Sequence, residues 1–227
     1  MSDVLLETIN LKKSFTSPTG ELLEIVKGVN FKVFKGDTIS IVGMSGAGKT
    51  TFLHMLGLLD KPTEGCIKYF EKDVTTLKET EVAKFRNENI GFDFQMHYLL
   101  PEFTALENAV MPLIIRGVPF KHAKETGIAL FKKVNLENRL HHKPGQLSGG
   151  EQQRVALVRA FIGEPSIILA DEPTGNLDKK NAHNIAELFL QLNEEHGTSL
   201  VLVTHNDELA SMMKIRYKID DGIMVKI

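Results

Sequence analysis

The chain has 227 residues, of which 42% are hydrophobic and 25% are charged, as in an ordinary folded globular protein. Its 27 Lys and Arg residues against 29 Asp and Glu residues give a formal net charge of −2, so it lacks the basic excess typical of nucleic-acid-binding proteins. The single cysteine, Cys66, excludes an intrachain disulfide and fits a reducing compartment. No apolar run approaches the length of about 20 residues that spans a bilayer.

The N-terminal part of the chain predicts two kinds of strand. Residues 5–9 and 25–34 suggest antiparallel strands, with a Ser-Pro-Thr-Gly turn at 17–20. Residues 38–42, Thr-Ile-Ser-Ile-Val, are rich in Val and Ile and predict a buried strand that ends at Gly43. The helix expected next covers residues 49–59.

The middle of the chain is predicted to be helical. Amphipathic stretches indicate helices over residues 104–114, 120–134 and 148–162. Two further apolar strands follow at 167–170 and 199–204.

These elements predict an α/β fold in one domain spanning residues 1–227. Continuous apolar strands are typical of a mostly parallel sheet that helices cover on both faces. We expect an antiparallel β subdomain at the N-terminus and an inserted α-helical subdomain. The α/β core is expected over about 1–95 and 163–227, and the helical subdomain over about 96–162.

The segment 43–50, Gly-Met-Ser-Gly-Ala-Gly-Lys-Thr, matches the pattern G-x-x-x-x-G-K-[ST] between a predicted strand and helix, and so predicts a P-loop NTPase core. Glycines let several backbone N–H groups converge on one phosphate, and Lys49 adds a cation for the β- and γ-phosphates. The Thr50 hydroxyl can ligate Mg²⁺. The alternative is a glycine-rich turn with a surface lysine. The expected ATP-binding residues here are Gly43, Met44, Ser45, Gly46, Ala47, Gly48, Lys49, Thr50 and Thr51.

A second motif is the carboxylate pair Asp171-Glu172, at the end of an apolar strand. Ligands of open α/β sheets bind at the carboxyl ends of the strands. Asp171 is expected to orient the Mg²⁺ shell through water, and Glu172 to accept a proton from the attacking water or to align it. The alternative is an acidic helix N-terminus favoured by the helix dipole.

From about Leu5 to Ile227 the motifs follow the order of the ATP-binding cassette (ABC) family, which the chain resembles. The matching features are an adenine-stacking aromatic at Phe15, a Q-loop glutamine at Gln95, a signature at 147–151, a D-loop at 175–178 and a switch histidine at His205. Within the signature, Glu151 stands where many members of that family have Gln.

The resemblance implies that two copies pack head to tail around two ATP molecules, each held by the loop 43–50 of one copy and the signature of the other. It implies ATP and Mg²⁺ as ligands and Lys49, Glu172 and His205 as catalytic residues. The further ATP-binding residues are Phe15, Gln95, Ser148, Gly149, Gly150, Glu151 and Asp178. The residues expected at the metal are Thr50, Gln95 and Asp171.

Within the family, residues 95–108 and 173–178 are similar to the lipoprotein-releasing (Lol) ATPase subgroup. This similarity implies integral membrane permease subunits as partners, lipoprotein cargo handled by those partners, and a peripheral location on the cytoplasmic face of the bacterial inner membrane. The permease is expected to dock in a groove that includes Leu99, Leu100 and Phe103. Alternatives are the related macrolide-exporter and cell-division cassettes, an importer ATPase, or a soluble nucleotide switch.

Two positions depart from the family pattern. Asp93 replaces an apolar residue and shares a strand face with Gly91 and Gln95, so it is expected to have a polar partner or to lie at a wet end of the sheet. If a partner exists, Asp93→Val lowers the melting temperature. Glu71 stands where a turn glycine is usual, so the hairpin there is expected to differ in shape.

Overall fold

The computed structural model describes residues 4–227, except for the side chains of Lys179 and Lys180. Its contacts divide the chain into two compact units. The first unit comprises the described part of Met1–Arg86 together with Ser199–Ile227, and the second comprises Asn87–Thr198. The predicted subdomain boundaries near residues 95 and 163 stay a prediction.

Strands and helices alternate along most of the chain. The strands are β1 (Val4–Thr16), β2 (Leu22–Phe34), β3 (Thr38–Val42), β4 (Glu64–Tyr69), β5 (Lys72–Asp73), β6 (Ile90–Phe94), β7 (Ile167–Asp171), β8 (Ser199–Thr204), β9 (Ile215–Asp220) and β10 (Ile223–Lys226). The helices are α1 (Lys49–Leu56), α2 (Glu79–Asn89), α3 (Ala105–Ile115), α4 (Phe120–Lys133), α5 (Gly149–Phe161), α6 (Lys179–His196) and α7 (Asp207–Ser211). Two 3₁₀ turns cover Glu137–Arg139 and Pro144–Gln146.

The first unit contains an antiparallel sheet in the order β2-β1-β4-β5. The predicted turn at 17–20 joins β1 to β2, and there the Ser17 N–H donates to the Glu21 carbonyl at 2.8 Å. Between β4 and β5, Phe70 and Glu71 have φ of 51° and 67°. A two-residue type I′ turn needs positive φ at both central residues. Glu71 therefore takes the left-handed conformation that a glycine favours, and the hairpin keeps a two-residue turn.

The first unit also contains β3, which lies parallel to β8 on one side and to β9 on the other. β10 completes this group by pairing antiparallel with β9. Ile39 and Ile41 of β3 are fully buried, as are Val201 and Val203 of β8. Continuous burial of this kind is expected for parallel strands covered on both faces. It explains why residues 200–203 of β8 are an uninterrupted apolar run and why β3 is mostly apolar, with the buried Ser40 hydroxyl donating to the Ala210 carbonyl at 3.0 Å.

In the second unit β6 pairs in parallel with β7, and helices α3 to α6 belong to the same unit. Thr104 and Ser148 begin α3 and α5 with reciprocal capping boxes, in which each side chain accepts from the N–H three residues on. Gly127 lets α4 approach α3, because a Cβ there would lie 2.8 Å from Leu106 and from Val110. The predicted α/β class and the three predicted helices of this region are confirmed.

Candidate functional site

The loop 43–50 depends on its glycines. A Cβ at Gly43 would lie 2.3 Å from the Ile219 carbonyl oxygen, and one at Gly48 would lie 2.6 Å from the Ile25 carbonyl oxygen. Gly48 also has a φ of 98°, in the left-handed region that glycine adopts readily. The loop can therefore run this close to β9 and β2 only without side chains at these two positions.

Lys49 begins α1 and is largely buried. Its ammonium donates hydrogen bonds to the Gly43 carbonyl at 2.7 Å and the Met44 carbonyl at 3.0 Å. An ammonium has three N–H donors. The two bonds to the loop backbone therefore aim the side chain along the loop and leave donor capacity for a ligand anion.

The N-terminus of α1 is suited to an anion. Its N-cap is Gly48, which provides no side-chain cap, and the first turn carries no acidic residue. The first N–H groups of a helix have no partner within the helix and carry its partial positive charge. Thr50 is exposed and Thr51 is half-buried in this first turn. Backbone donors and two hydroxyl groups are thus gathered beside Lys49.

His205 and Phe15 occupy the same unit as the loop. His205 follows β8 directly and is exposed. Because Val42 of β3 lies opposite Thr204 of β8 in a parallel pair, Gly43 and His205 leave the sheet at the same edge.

Phe15 is 44% exposed, with the Lys13 ammonium 4.9 Å from its ring centroid. It pairs with Leu23 of β2, two residues before the Ile25 that touches Gly48.

In the second unit, Gln95 and Glu172 are brought to one sheet edge. Phe94 of β6 lies opposite Asp171 of β7, so the residue after each strand emerges at the same end. Glu172 has a φ of 46°, a left-handed conformation that is costly for a residue other than glycine. Such conformations persist only where surrounding contacts impose them. The Glu172 carbonyl accepts from the Gly175 N–H at 2.9 Å.

The D-loop segment 175–178 packs against the Q-loop glutamine. The Asn176 side-chain amide donates to the Gln95 carbonyl at 3.0 Å. A Cβ at Gly175 would lie 2.9 Å from the Gln95 side-chain nitrogen, so only glycine fits there without displacing Gln95. Asp178 is the N-cap of α6, since its carboxylate accepts from the Asn181 N–H at 2.9 Å. Asn176 lies in the predicted D-loop, but its bond to the Gln95 carbonyl has no signal in the sequence.

The signature residues form the start of α5. Ser148 donates its hydroxyl to Glu151 at 2.9 Å, and the Ser148 N–H donates to the same carboxylate oxygen at 2.8 Å. Arg139 donates to the other oxygen of Glu151 at 2.7 Å. The hydrogen bond from Arg139, followed by those from Ser148, lowers the pKa of Glu151 to about 2. Sequence reasoning missed Arg139, which no local pattern connects to the signature.

Asp93 has the polar partner that the sequence analysis proposed. It is completely buried, and its Oδ2 accepts from the Gln153 side-chain amide at 2.6 Å. The expectation of a partner is confirmed, and a wet sheet end is excluded. Burial raises the pKa of Asp93 to about 7, while the nearby Arg159 and the bond from Gln153 act in the opposite direction.

The predicted site residues fall in both units. The loop 43–50, Phe15 and His205 belong to the first. Gln95, Asp171, Glu172, Asp178 and the signature residues belong to the second.

Within the described part of the chain, no group of three or more His, Cys, Asp or Glu side chains could hold a metal ion. None of the described helices is long and apolar enough to cross a membrane.

A buried strand, a glycine loop and a helix N-terminus in this order define a nucleotide-binding protein of the P-loop class. More narrowly, the chain belongs to the ABC transporter family, whose family model matches residues 26–175.

Individual relatives and solved structures agree with that assignment. The chain is 49% identical to the lipoprotein-releasing system ATP-binding protein LolD of Geobacter metallireducens, over 97% of this chain and 98% of that protein. It is 47% identical to the LolD protein of Syntrophus aciditrophicus, over 97% of this chain and 99% of that protein. A solved structure titled as the dimeric post-hydrolysis state of the ATP-binding cassette MJ0796 bound to ADP and Pi superposes with a TM-score of 0.90, at 38% identity and 98% coverage of both chains.

Proposed function

We propose that this chain is the ATP-hydrolysing subunit of a lipoprotein-releasing ABC transporter. The observation that carries the ATPase part is the glycine loop at the start of α1, with Lys49 held along it by two backbone carbonyls. The transport part rests on relatives with the lipoprotein-releasing name that match almost the full length of the chain.

ATP binding is expected to begin with the phosphates. The N–H groups of the loop and of the first turn of α1 receive the β- and γ-phosphates, and Lys49 offsets their charge. Phe15 offers an exposed ring face on which adenine stacks.

Mg²⁺ fits these residues, because it usually keeps several waters and binds substrate phosphates together with one or two carboxylates, of which Asp171 would be one. Thr50, Asp171 and Gln95 would hold it, and when bound it supplies neutralisation of charge on the phosphates. This donor set needs no cluster of acidic side chains, which accords with the finding above for the described residues.

Glu172 is the proposed general base for hydrolysis. The water oxygen forms a bond to the γ-phosphorus while the bond from that phosphorus to the β,γ-bridging oxygen breaks, and ADP leaves with the electron pair. The proton of the water passes to the Glu172 carboxylate. The Glu172 backbone is held in a left-handed conformation, which surrounding contacts have to impose on a residue other than glycine. His205 is assigned to contact the γ-phosphate.

A second copy of the chain is proposed to complete each site. Ser148, Gly149 and Gly150 begin α5, so a hydroxyl group and helix N–H groups are available to the phosphates bound by another copy. The solved relative MJ0796 is described as dimeric. A C₂ arrangement would use the same two surfaces of each copy twice.

The membrane partner is proposed to dock on the segment after Gln95. Met96 and Tyr98 are 66% and 65% exposed, and Leu100 and Phe103 are also exposed. Contiguous exposed apolar residues mark interaction sites. The permease subunits and the location on the cytoplasmic face of the inner membrane belong to this proposal.

The test uses Glu172→Gln, with Glu194→Gln on the exposed surface of α6 as the matched control. We expect Glu172→Gln to bind ATP but to hydrolyse it at least about a hundredfold more slowly, because general-base catalysis contributes about 10²–10⁴-fold. Lys49→Ala should lose ATP affinity. Retained turnover in Glu172→Gln contradicts the assignment of the base, and unchanged affinity in Lys49→Ala removes the phosphate role.

The transport partner is tested by purifying Glu172→Gln with ATP from native membranes and identifying the bound permease. A lipoprotein-releasing pair of membrane subunits supports the proposal. An efflux or cell-division permease keeps the ATPase assignment and replaces the cargo. If ATP binds but no membrane protein is recovered, the result favours a soluble nucleotide switch over the transport proposal.

A further inference from the structure

A buried polar contact joins β6 to α5 in the second unit. Asp93 and Gln153 both have no exposed surface, and the Gln153 amide donates to Asp93 at 2.6 Å. Among the described residues, the second carboxylate oxygen of Asp93 and the side-chain oxygen of Gln153 are buried and have no hydrogen-bond partner. Buried polar atoms normally find partners, so an incompletely satisfied pair calls for an explanation.

The packing around this pair shows what it adds. Gly91 lies on the same face of β6 as Asp93, and a Cβ at Gly91 would lie 2.2 Å from the Ala160 carbonyl oxygen of α5. Residues 153 and 160 are about two turns apart on one face of the helix. The contact at Gly91 limits how closely α5 approaches β6, but it does not fix the rotation of α5 about its own axis. The hydrogen bond between Gln153 and Asp93 is directional and therefore fixes this rotation.

The two ends of this contact lead to predicted site residues. Asp93 stands two positions before Gln95, and Gln153 stands one turn after the signature residues 148–150. The same helix also holds the backbone beyond Gln95: Arg159 donates to the His97 carbonyl and, at 2.9 Å, to the Tyr98 carbonyl. Helix α5 is therefore bonded to this segment on both sides of Gln95.

We infer that Asp93 and Gln153 are positioning residues that fix the signature end of α5 relative to Gln95, and that they thereby set the rate of ATP hydrolysis and not the affinity for ATP. This inference rests on the proposed ATPase function. Both side chains are completely buried, so neither touches nucleotide, and any effect passes through Gln95 or the signature residues.

Three variants separate positioning from packing. Asp93→Asn keeps a carbonyl oxygen for the Gln153 amide and adds an N–H that can reach the Gln153 oxygen. Asp93→Val removes the bond and leaves Gln153 unpartnered. The double variant Asp93→Val/Gln153→Leu replaces the pair by apolar groups, which recovers stability because no buried polar atom is left without a partner. Thr8→Val, which removes a buried hydrogen bond of 3.0 Å to the Val29 carbonyl in the first unit, is the control.

The first readout is ATP hydrolysis by the chain assembled with its membrane subunits. We expect Asp93→Asn to keep kcat within about twofold of wild type. Asp93→Val and the double variant should both lower kcat about tenfold with KM for ATP nearly unchanged, which is the effect expected when the misplaced Gln95 or signature residues lose one hydrogen bond to the transition state. Thr8→Val should keep kcat. If the double variant restores kcat together with stability, the pair only fills space and the inference is wrong.

The second readout does not need ATPase activity. Hydrogen exchange on the isolated chain should become faster in residues 95–98 and 149–153 of the double variant, and should stay at the wild-type rate in Asp93→Asn. Unchanged exchange in the double variant overturns the inference even if the chain hydrolyses ATP. A wild-type chain that hydrolyses no ATP refutes the proposed function, while this exchange pattern still tests the contact. The double variant also keeps the test available if Asp93→Val fails to fold.

Discussion

Replacing Gly91 by alanine tests the contact between β6 and α5 directly. An added Cβ would lie 2.2 Å from the Ala160 carbonyl oxygen and 3.1 Å from the Ile168 side chain. A comfortable carbon–oxygen contact is about 3.3 Å or longer, so the helix or the strand has to move by about 1 Å. The obstacle is backbone, so a side-chain rotation cannot remove it.

The expected loss can be estimated from two opposing effects. Overpacking a close-packed core costs about 1–3 kcal/mol. Replacing glycine by alanine also restricts the unfolded chain, which returns about 0.4–1 kcal/mol. We expect a net loss of about 1–2 kcal/mol in the free energy of unfolding, which lowers the melting temperature of a chain of this size by about 2–8 °C.

Thermal and urea unfolding of Gly91→Ala measure this loss. The matched control is Gly145→Ala, since no atom lies within 4 Å of a Cβ built at Gly145. That variant should unfold at or slightly above the wild-type temperature, because alanine restricts the unfolded chain there too and meets no obstacle in the folded one. Equal melting temperatures for Gly91→Ala and wild type would show that α5 does not pack this closely on β6, and would weaken the positioning argument for Asp93 as well.

Three further predictions concern stability alone. The pKa of Glu151 is lowered to about 2, so its stabilising contribution is complete above pH ~4.5 and is lost as the pH falls through about 2; unfolding curves between these values should lose stability faster for wild type than for Glu151→Gln, and equal slopes would contradict this. Glu71→Gly should gain about 0.5–1 kcal/mol in urea unfolding, because it relieves a left-handed φ of 67° at some cost in chain entropy; a loss would show that the turn is unstrained. Thr104→Ala should lose about 1 kcal/mol through the capping box of α3, whereas no loss would mean that the cap is dispensable.

The parts of the fold that the sequence predicted well are those with a local signal. β8 contains a continuous apolar run, β3 consists mostly of β-branched residues, and the helices α3, α4 and α5 have clear apolar faces. Helix α2 went unpredicted because none of its residues is buried, so no apolar period marks it. β1 and β2 extend to 13 residues each, beyond the predicted segments, because irregularities in their pairing interrupt the alternation of buried and exposed residues.

The contacts that support the candidate site were largely invisible in the sequence. Gln153 lies 60 residues from Asp93, and Arg159 lies 62 residues from His97. The sequence shows that Asp93 is unusual and needs a partner, but only the packing of α5 on β6 decides which residue provides it. The same holds for Asn176, whose bond to the Gln95 carbonyl spans 81 residues.

The two units therefore build their site residues by different means. The loop 43–50 takes its shape from its own glycines and from Lys49, which bonds to carbonyls only five and six residues away. In the second unit, Glu172, His97 and Tyr98 all have positive φ without being glycine. Distant partners such as Arg159 hold the last two in place, and strain of this kind persists only while such partners remain. We therefore expect substitutions in the buried part of α5 to disturb Gln95 and its neighbours and to leave the phosphate-binding loop intact. Such variants should still bind ATP although they have lost its hydrolysis.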